Sequence, residues 1–252
     1  MNFWRNIKDL ILSFYYPSGK FFLVSFPNSG RSWLMYMLNR IFDESKIEDL
    51  TIEDTHDGSE IIIEDGTRNN PNTLFRFTER YRYCRSKVIF LSRDPRDIIT
   101  SNFHQVTKRA KNPFKFSKKS DFIRHDIYGF NRIICFFNIW FKNKGKPIKF
   151  LLVKYENLLL GTDDIKKIIR FLNIKVSDEL IDKVYNESTA LKMRAKEKNN
   201  KLIGFSDFGK DINALKVRNG VKGSYLKELS SEDIIYCNNQ MKKLNTFFNY
   251  KI

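Results

Sequence analysis

Apolar positions in this chain fall into short continuous runs, each followed by a polar turn and then a longer amphipathic stretch. The run Phe21-Phe22-Leu23-Val24-Ser25-Phe26 is nearly unbroken, the pattern of a strand buried on both faces. After the turn Pro27-Asn28-Ser29-Gly30, Leu34, Met35, Leu38, Ile41 and Phe42 recur at helical spacing, predicting a helix from Arg31 to about Phe42. The unit repeats. Residues 87–92 predict a strand, Arg93-Asp94-Pro95-Arg96 its turn, and residues 97–105 a helix. Residues 148–153 predict a further strand, followed by Lys154-Tyr155-Glu156-Asn157 and a helix over about 162–172. A weaker strand is expected over residues 50–53, ending in Asp54-Thr55-His56-Asp57-Gly58-Ser59. Such alternation predicts an α/β fold: one domain over residues 1–252, with a mostly parallel central sheet flanked by helices. Ligands of these sheets bind beyond the carboxyl ends of the strands, so the turns just named should share one edge.

The chain has 252 residues, 42% hydrophobic and 15% aromatic, enough for a large core and too apolar for global disorder. Cys84, Cys135 and Cys237 lie far apart, with no Cys-x-x-Cys pair, which argues against a disulfide framework or a structural zinc site. No apolar run approaches the roughly 18–20 residues of a membrane span. The N-terminal stretch is broken by Arg5, Lys8, Asp9, Pro17 and Lys20 and does not read as a signal peptide, so a cytoplasmic location is expected. A net charge of +16 predicts an anionic ligand without choosing among nucleic acid, a membrane surface and a phosphorylated small molecule. Residues 106–119 and 192–216 are strongly basic and are expected as irregular loops, either solvated or closing over an anion.

Three turns carry chemistry. Pro27-Asn28-Ser29-Gly30-Arg31-Ser32-Trp33 lies between a buried strand and a helix start, where backbone N–H groups and the helix dipole favour an anion. It is not a Walker A loop, because Ser25 occupies the first glycine position and Arg31 that of the lysine. Arg93-Asp94-Pro95-Arg96-Asp97, with Ser101 one helical turn later, is a second anion-friendly turn; an Arg93–Asp97 surface pair with Asp97 as helix cap is the plain alternative. Arg218-Asn219-Gly220-Val221-Lys222-Gly223 places cations between glycines in a third.

These motifs, in this order and joined by Tyr155-Glu156-Asn157-Leu158, resemble the cytosolic sulfotransferases from about Phe21 to Tyr225. The resemblance implies a P-loop-like phosphosulfate-binding loop and transfer of a sulfuryl group from 3′-phosphoadenosine 5′-phosphosulfate (PAPS), leaving 3′-phosphoadenosine 5′-phosphate (PAP), without a metal. Residue by residue, Ser29, Gly30, Arg31 and Ser32 would hold the 5′-phosphosulfate and Trp33 would stack on adenine. Arg93 and Ser101 would bind the 3′-phosphate with Arg218, Asn219 and Gly220, and Tyr155 takes the position of the adenine-side tyrosine. Ser188-Thr189-Ala190-Leu191-Lys192-Met193 resembles the segment lining the adenine pocket. The chain departs from the family at Asn28, where a lysine usually neutralises the leaving oxygen, and at Ala190, where an aromatic is usual. Tyr225 follows Ser224 where the family often has Asp-Trp, and the C-terminal dimerisation motif is not recognisable, so the oligomeric state stays open.

An acceptor hydroxyl or amine needs a base, and Thr55-His56 fits the order of the family's catalytic histidine. His104 resembles a structural histidine in the helix after Ser101, and His125 reads as a packing or surface residue. Asp54, Asp57 and Glu60 are the alternative bases. Arg31 and Asn28 are expected to meet charge on the departing phosphate. The acceptor class remains open between small molecules and carbohydrates. The rival activities are a P-loop small-molecule kinase, which wants a lysine after Gly30, and a nucleotide- or nucleic-acid-binding protein without catalysis. For the latter no helix-turn-helix, zinc-finger or RNA-recognition signature exists.

Overall fold

A computed structural model describes residues 18–61, 80–109, 116–198, 215 and 220–252. Its centre is a sheet of four parallel strands, β1 (Phe21–Ser25), β2 (Ile52–Thr55), β3 (Lys87–Ser92) and β4 (Lys149–Lys154), in the order β2-β1-β3-β4. The apolar runs are continuous because the sheet is covered on both faces. Phe22, Val24, Val88 and Phe90 point into one core, and Leu23, Ile89 and Leu91 into the other.

The second of these cores is closed by α1 (Arg31–Glu44), α6 (Asp163–Leu172) and α7 (Asp178–Glu187), with Leu34, Leu38, Ile41, Ile165, Ile168, Ile169 and Val184 inside. The first is closed by α2 (Pro95–His104), α4 (Phe130–Asn143) and α10 (Ser231–Met241). It is aromatic: Phe90 meets Phe136, Phe137, Trp140, Phe150 and Phe248. Short helices α3 (Lys119–Arg124), α5 (Tyr155–Leu158), α8 (Ala190–Lys198) and α9 (Tyr225–Glu228) complete the described α-helices.

Several boundaries differ from the sequence reading. The weak strand lies two residues later than expected, at Ile52–Thr55, because its partner β1 pairs Leu23 with Asp54 and Val24 with Thr55. His56 therefore follows the strand directly. The basic stretch from Lys192 is not wholly irregular, since residues to Lys198 belong to α8, which buries Met193 and Glu197. The amphipathic segment around His125 is two helices, broken at residues 125–129, where His125 Nδ1 accepts from the Ile127 and Tyr128 backbone N–H groups.

The strand order reverses between β1 and β3: the chain passes from β1 out to β2, then back across to β3. The turns after β1 and β3 thus bracket the crevice where sheets of this kind bind ligands. Among the described residues no helix is long and apolar enough to cross a membrane.

Candidate active site

A cavity of about 320 Å³ opens at this crevice. It is lined by Asn28, Gly30, Arg31, Ser32 and Trp33 from the first turn, His56 from the end of β2, and Arg93 and Ser101 from the second turn. Tyr155, Leu159, Ala190, Met193, Gly220 and Ser224 contribute further walls. Residues nominated from four separate motifs therefore meet in one place. Arg218 and Asn219 lie outside the described residues.

The first turn is shaped by two residues in the left-handed region, Asn28 at φ 66° and Gly30 at φ 93°. Gly30 is the backbone N-cap of α1 and brings no side-chain cap to the helix start. A Cβ there would lie 2.4 Å from the Tyr155 ring, so glycine is required on both backbone and steric grounds. Tyr155 is buried, and burial raises its phenol pKa despite the opposing charge of Arg93, whose guanidinium sits 4.6 Å above the ring. Trp33 packs edge-on to Tyr155 at 5.8 Å and donates from Nε1 to the Ser188 carbonyl at 2.6 Å. The segment around 188–193 thus anchors the tryptophan, with Ala190 and Met193 on the cavity wall and Leu191 exposed. Ala190 also makes room for the late loop, since a Cβ on Gly220 (φ 58°) would fall 2.4 Å from its own.

Arg93 donates from Nη1 to the Asn28 carbonyl at 2.9 Å and reaches Ser101 Oγ at 3.4 Å. This ties the first turn to the second. The helix cap is Asp94, which accepts from the Arg96 backbone N–H at 2.9 Å, and Arg96 pairs with Asp94. Asp97 instead is fully buried and accepts from Gly223 N–H at 2.7 Å, Ser224 Oγ at 3.0 Å and Tyr225 N–H at 3.0 Å. The alternative reading, an Arg93–Asp97 surface pair with Asp97 as cap, gives way to a buried carboxylate that fixes the late wall of the cavity.

Asn28 donates from Nδ2 to Asn102 Oδ1 and to Gln105 Oε1, so its amide braces the turn against α2. Arg31 reaches the end of β2, with Nε 2.9 Å from Asp54 Oδ2. Burial lowers its pKa and the Asp54 charge opposes that shift. Ser29 Oγ, Arg31 Nη1 and Arg93 Nε are buried polar atoms without a hydrogen-bond partner among the described residues. All three belong to the two turns, and two of them to residues lining the cavity. Buried donors of this kind are expensive unless an acceptor meets them, and a multiply charged phosphate or sulfate ester is the matching acceptor.

His56 is held by a 2.7 Å contact between Nδ1 and the Ser25 carbonyl. A carbonyl only accepts, so Nδ1 carries the hydrogen and Nε2 of the neutral ring is an acceptor. The alternative carboxylates have other work. Asp54 holds Arg31, Asp57 accepts from the Tyr83 hydroxyl at 2.9 Å, and Glu60 accepts from the Gly58 N–H at 3.0 Å. His104 also lines the cavity but lies 3.1 Å from Glu228, tying α2 to α9. Among the described residues no group of three or more His, Cys, Asp or Glu side chains is arranged to hold a metal ion.

Sequence reasoning did not reach Gln105, Leu159, the bracing role of Asn102 or the C-terminal tail. Tyr250 lies 3.0 Å from Ser92 Oγ and 3.1 Å from Glu156 Oε2, Glu156 accepts from the Asp94 N–H at 2.8 Å, and Arg96 donates to the Lys251 carbonyl at 2.8 Å. The tail therefore buttresses the second turn from behind. No local motif marks it.

A parallel sheet with an anion-ready turn at its switch point and two arginines from adjacent turns defines a nucleotide-type phosphate-binding fold. The family model described as Sulfotransferase domain matches residues 18–246, beyond the Tyr225 limit of the recognised motifs. The chain belongs to the sulfotransferase family. It is 26% identical over 201 residues to human sulfotransferase 2B1, covering 71% of this chain and only 53% of that protein. Guinea pig 3-beta-hydroxysteroid sulfotransferase is 25% identical over 199 residues, covering 70% of this chain and 67% of that protein. Among solved structures, mouse sulfotransferase SULT7A1 complexed with PAP aligns with a TM-score of 0.63 at 20% identity, covering 91% of this chain and 86% of the other. Retinol dehydratase in complex with androsterone and inactive cofactor PAP aligns with a TM-score of 0.56 at 13% identity, covering 88% and 79%. These likenesses establish the fold.

Proposed function

We propose that the chain is an enzyme that transfers a sulfuryl group from PAPS to a hydroxyl or amine of a small-molecule or carbohydrate acceptor. The observation that carries this reading is the set of buried, unpartnered donors on the two turns, with His56 facing the same cavity. Ser29, Gly30, Arg31 and Ser32 hold the 5′-phosphosulfate at the start of α1, where the helix dipole adds to the donors. Trp33, Tyr155, Ala190 and Met193 wall the adenine. Arg93 and Ser101, with Arg218, Asn219 and Gly220 from the late loop, take the 3′-phosphate.

His56 is the base. Its Nδ1 is held at the Ser25 carbonyl and the residue lines the cavity, where it takes the acceptor's proton. The acceptor oxygen or nitrogen bonds to sulfur as the bond from sulfur to the 5′-phosphate oxygen breaks in line, and that oxygen keeps the electron pair. Arg31 and the first-turn N–H groups stabilise the growing charge there. Asn28, braced by Asn102 and Gln105, serves by keeping the turn in its left-handed form.

The relatives named for steroid alcohols make hydrophobic alcohols the first acceptors to test. PAPS should be incubated with a 3β-hydroxysteroid, 4-nitrophenol, a primary amine and a monosaccharide, with sulfated product and PAP followed by mass spectrometry. At least one acceptor should be sulfated. Failure to bind adenosine 3′,5′-bisphosphate in calorimetry would overturn the reading.

A further inference from the structure

We propose that Asp54 is a positioning residue that aims the Arg31 guanidinium at the sulfuryl-donor side of the cavity, an inference that rests on the transfer reading above. Arg31 stands at the first residue of α1, and its side chain crosses to the end of β2, where Asp54 Oδ2 meets Nε at 2.9 Å. The guanidinium is a rigid planar fork, so a carboxylate held as an ion pair against its Nε edge biases the direction of both Nη groups. Nη1 is buried without a hydrogen-bond partner among the described residues, on a residue that lines the cavity. An Arg31 satisfied by its surroundings would need no further acceptor. This one meets Asp54 as an ion pair at its Nε edge, and its Nη1 has no hydrogen-bond partner among the described residues.

The pair is unsuited to a purely structural role. The Asp54 side chain is 45% exposed against 19% for Arg31, and ion pairs open to water on one side add little to stability. Its geometry is well suited to catalysis. Asp54 is opposite Leu23 in the β1–β2 register, and His56 follows two residues later, held to Ser25 at the end of β1. One strand end therefore carries both the anchor of the donor-side cation and the acceptor-side base, so the register that places one places the other. Burial works against the charge on Arg31, and the carboxylate at its edge opposes that effect in part.

The test is Asp54→Asn, with Asp54→Glu as the conservative variant. Asp54→Asn should lower kcat about tenfold or more while KM for PAPS stays within about threefold, because the lost interaction is made chiefly in the transition state. Asp54→Glu should recover part of the rate. In an Arg31→Ala background, Asp54→Asn should add no more than about a twofold loss, since residues acting as one unit are not additive. A readout independent of turnover is the arginine Nε–H resonance of Arg31 in 15N NMR, identified by its loss in Arg31→Lys. It should be protected from exchange in the wild-type protein and merge with the exposed arginines in Asp54→Asn. Wild-type turnover in Asp54→Asn, additive losses in the double variant, or an unchanged Arg31 resonance would each overturn the proposal. A wild-type protein with neither turnover nor bisphosphate binding would overturn the transfer reading itself, so the two failures are distinct.

Discussion

Replacing Arg93 by Ala should remove most of the protein's discrimination between adenosine 3′,5′-bisphosphate and adenosine 5′-monophosphate. The guanidinium is held by the Asn28 carbonyl, Ser101 and the Tyr155 ring, and its buried Nε has no hydrogen-bond partner among the described residues. A phosphate that accepts one charge-assisted hydrogen bond from it gains about 1.5–3 kcal/mol, or roughly ten- to 150-fold in affinity. The wild-type protein should therefore prefer the bisphosphate by at least about tenfold, and Arg93→Ala should erase most of that preference. The substitution also deletes the stacking on Tyr155 and the brace on Asn28, together about 1–2 kcal/mol. For a chain of this size that is a fall in Tm of about 2–8 °C. Arg93→Lys keeps the charge and loses the fork, so it should retain part of the preference. Calorimetric titration of both nucleotides, with melting curves on the same preparations, measures all of this. An unchanged ratio in a folded Arg93→Ala protein refutes the assignment of Arg93 to the 3′-phosphate.

His56→Ala should lower turnover by roughly 10²–10⁴ and leave bisphosphate affinity nearly intact, the share expected of a general base; turnover within about threefold of wild type removes His56 from that role. Gly30→Ala places a Cβ against the Tyr155 ring at a positive φ. It should cost about 1–3 kcal/mol and weaken nucleotide binding, and wild-type values of both Tm and affinity would show that the turn is looser than described. Glu156→Gln probes the buttress behind the second turn. Burial raises the Glu156 pKa above its ordinary 4.5, with the Asp94 N–H bond opposing, so the native state binds more protons than the unfolded chain between the two values. The wild-type protein should lose stability relative to Glu156→Gln as pH climbs from about 4.5 through the raised value; parallel Tm profiles for the two proteins would contradict this.

Much of the fold was legible because a parallel sheet covered on both faces writes its strands as uninterrupted apolar runs. β1, β3 and β4 were found that way. β2 was misplaced by two residues because it is an edge strand whose only fully buried side chain is Ile52. The helix at Ala190–Lys198 was missed for the opposite reason: it is highly charged and buries just Met193 and Glu197, so no apolar stripe announces it. The strand order was not readable, since nothing in a strand's own residues says which neighbour it will pair with.

At the site, the turns were legible and their partners were not. Gly30, Arg93 and Tyr155 belong to motifs, yet the reasons for their geometry are contacts between motifs: Gly30 yields to the Tyr155 ring, and Arg93 stacks on it. Asp97 illustrates the same limit, since a local cap and a buried anchor for residues 223–225 look identical in sequence. Asn28 is the instructive case. Its missing charge reads as a defect when the first turn is considered alone. In three dimensions its amide is spent bracing α2, while a cation three residues later reaches into the cavity under the hold of a carboxylate from another strand. A charge required at one point in space can be supplied from any residue the fold brings there, and it is the sheet register, not the spacing within a motif, that decides which residue does so.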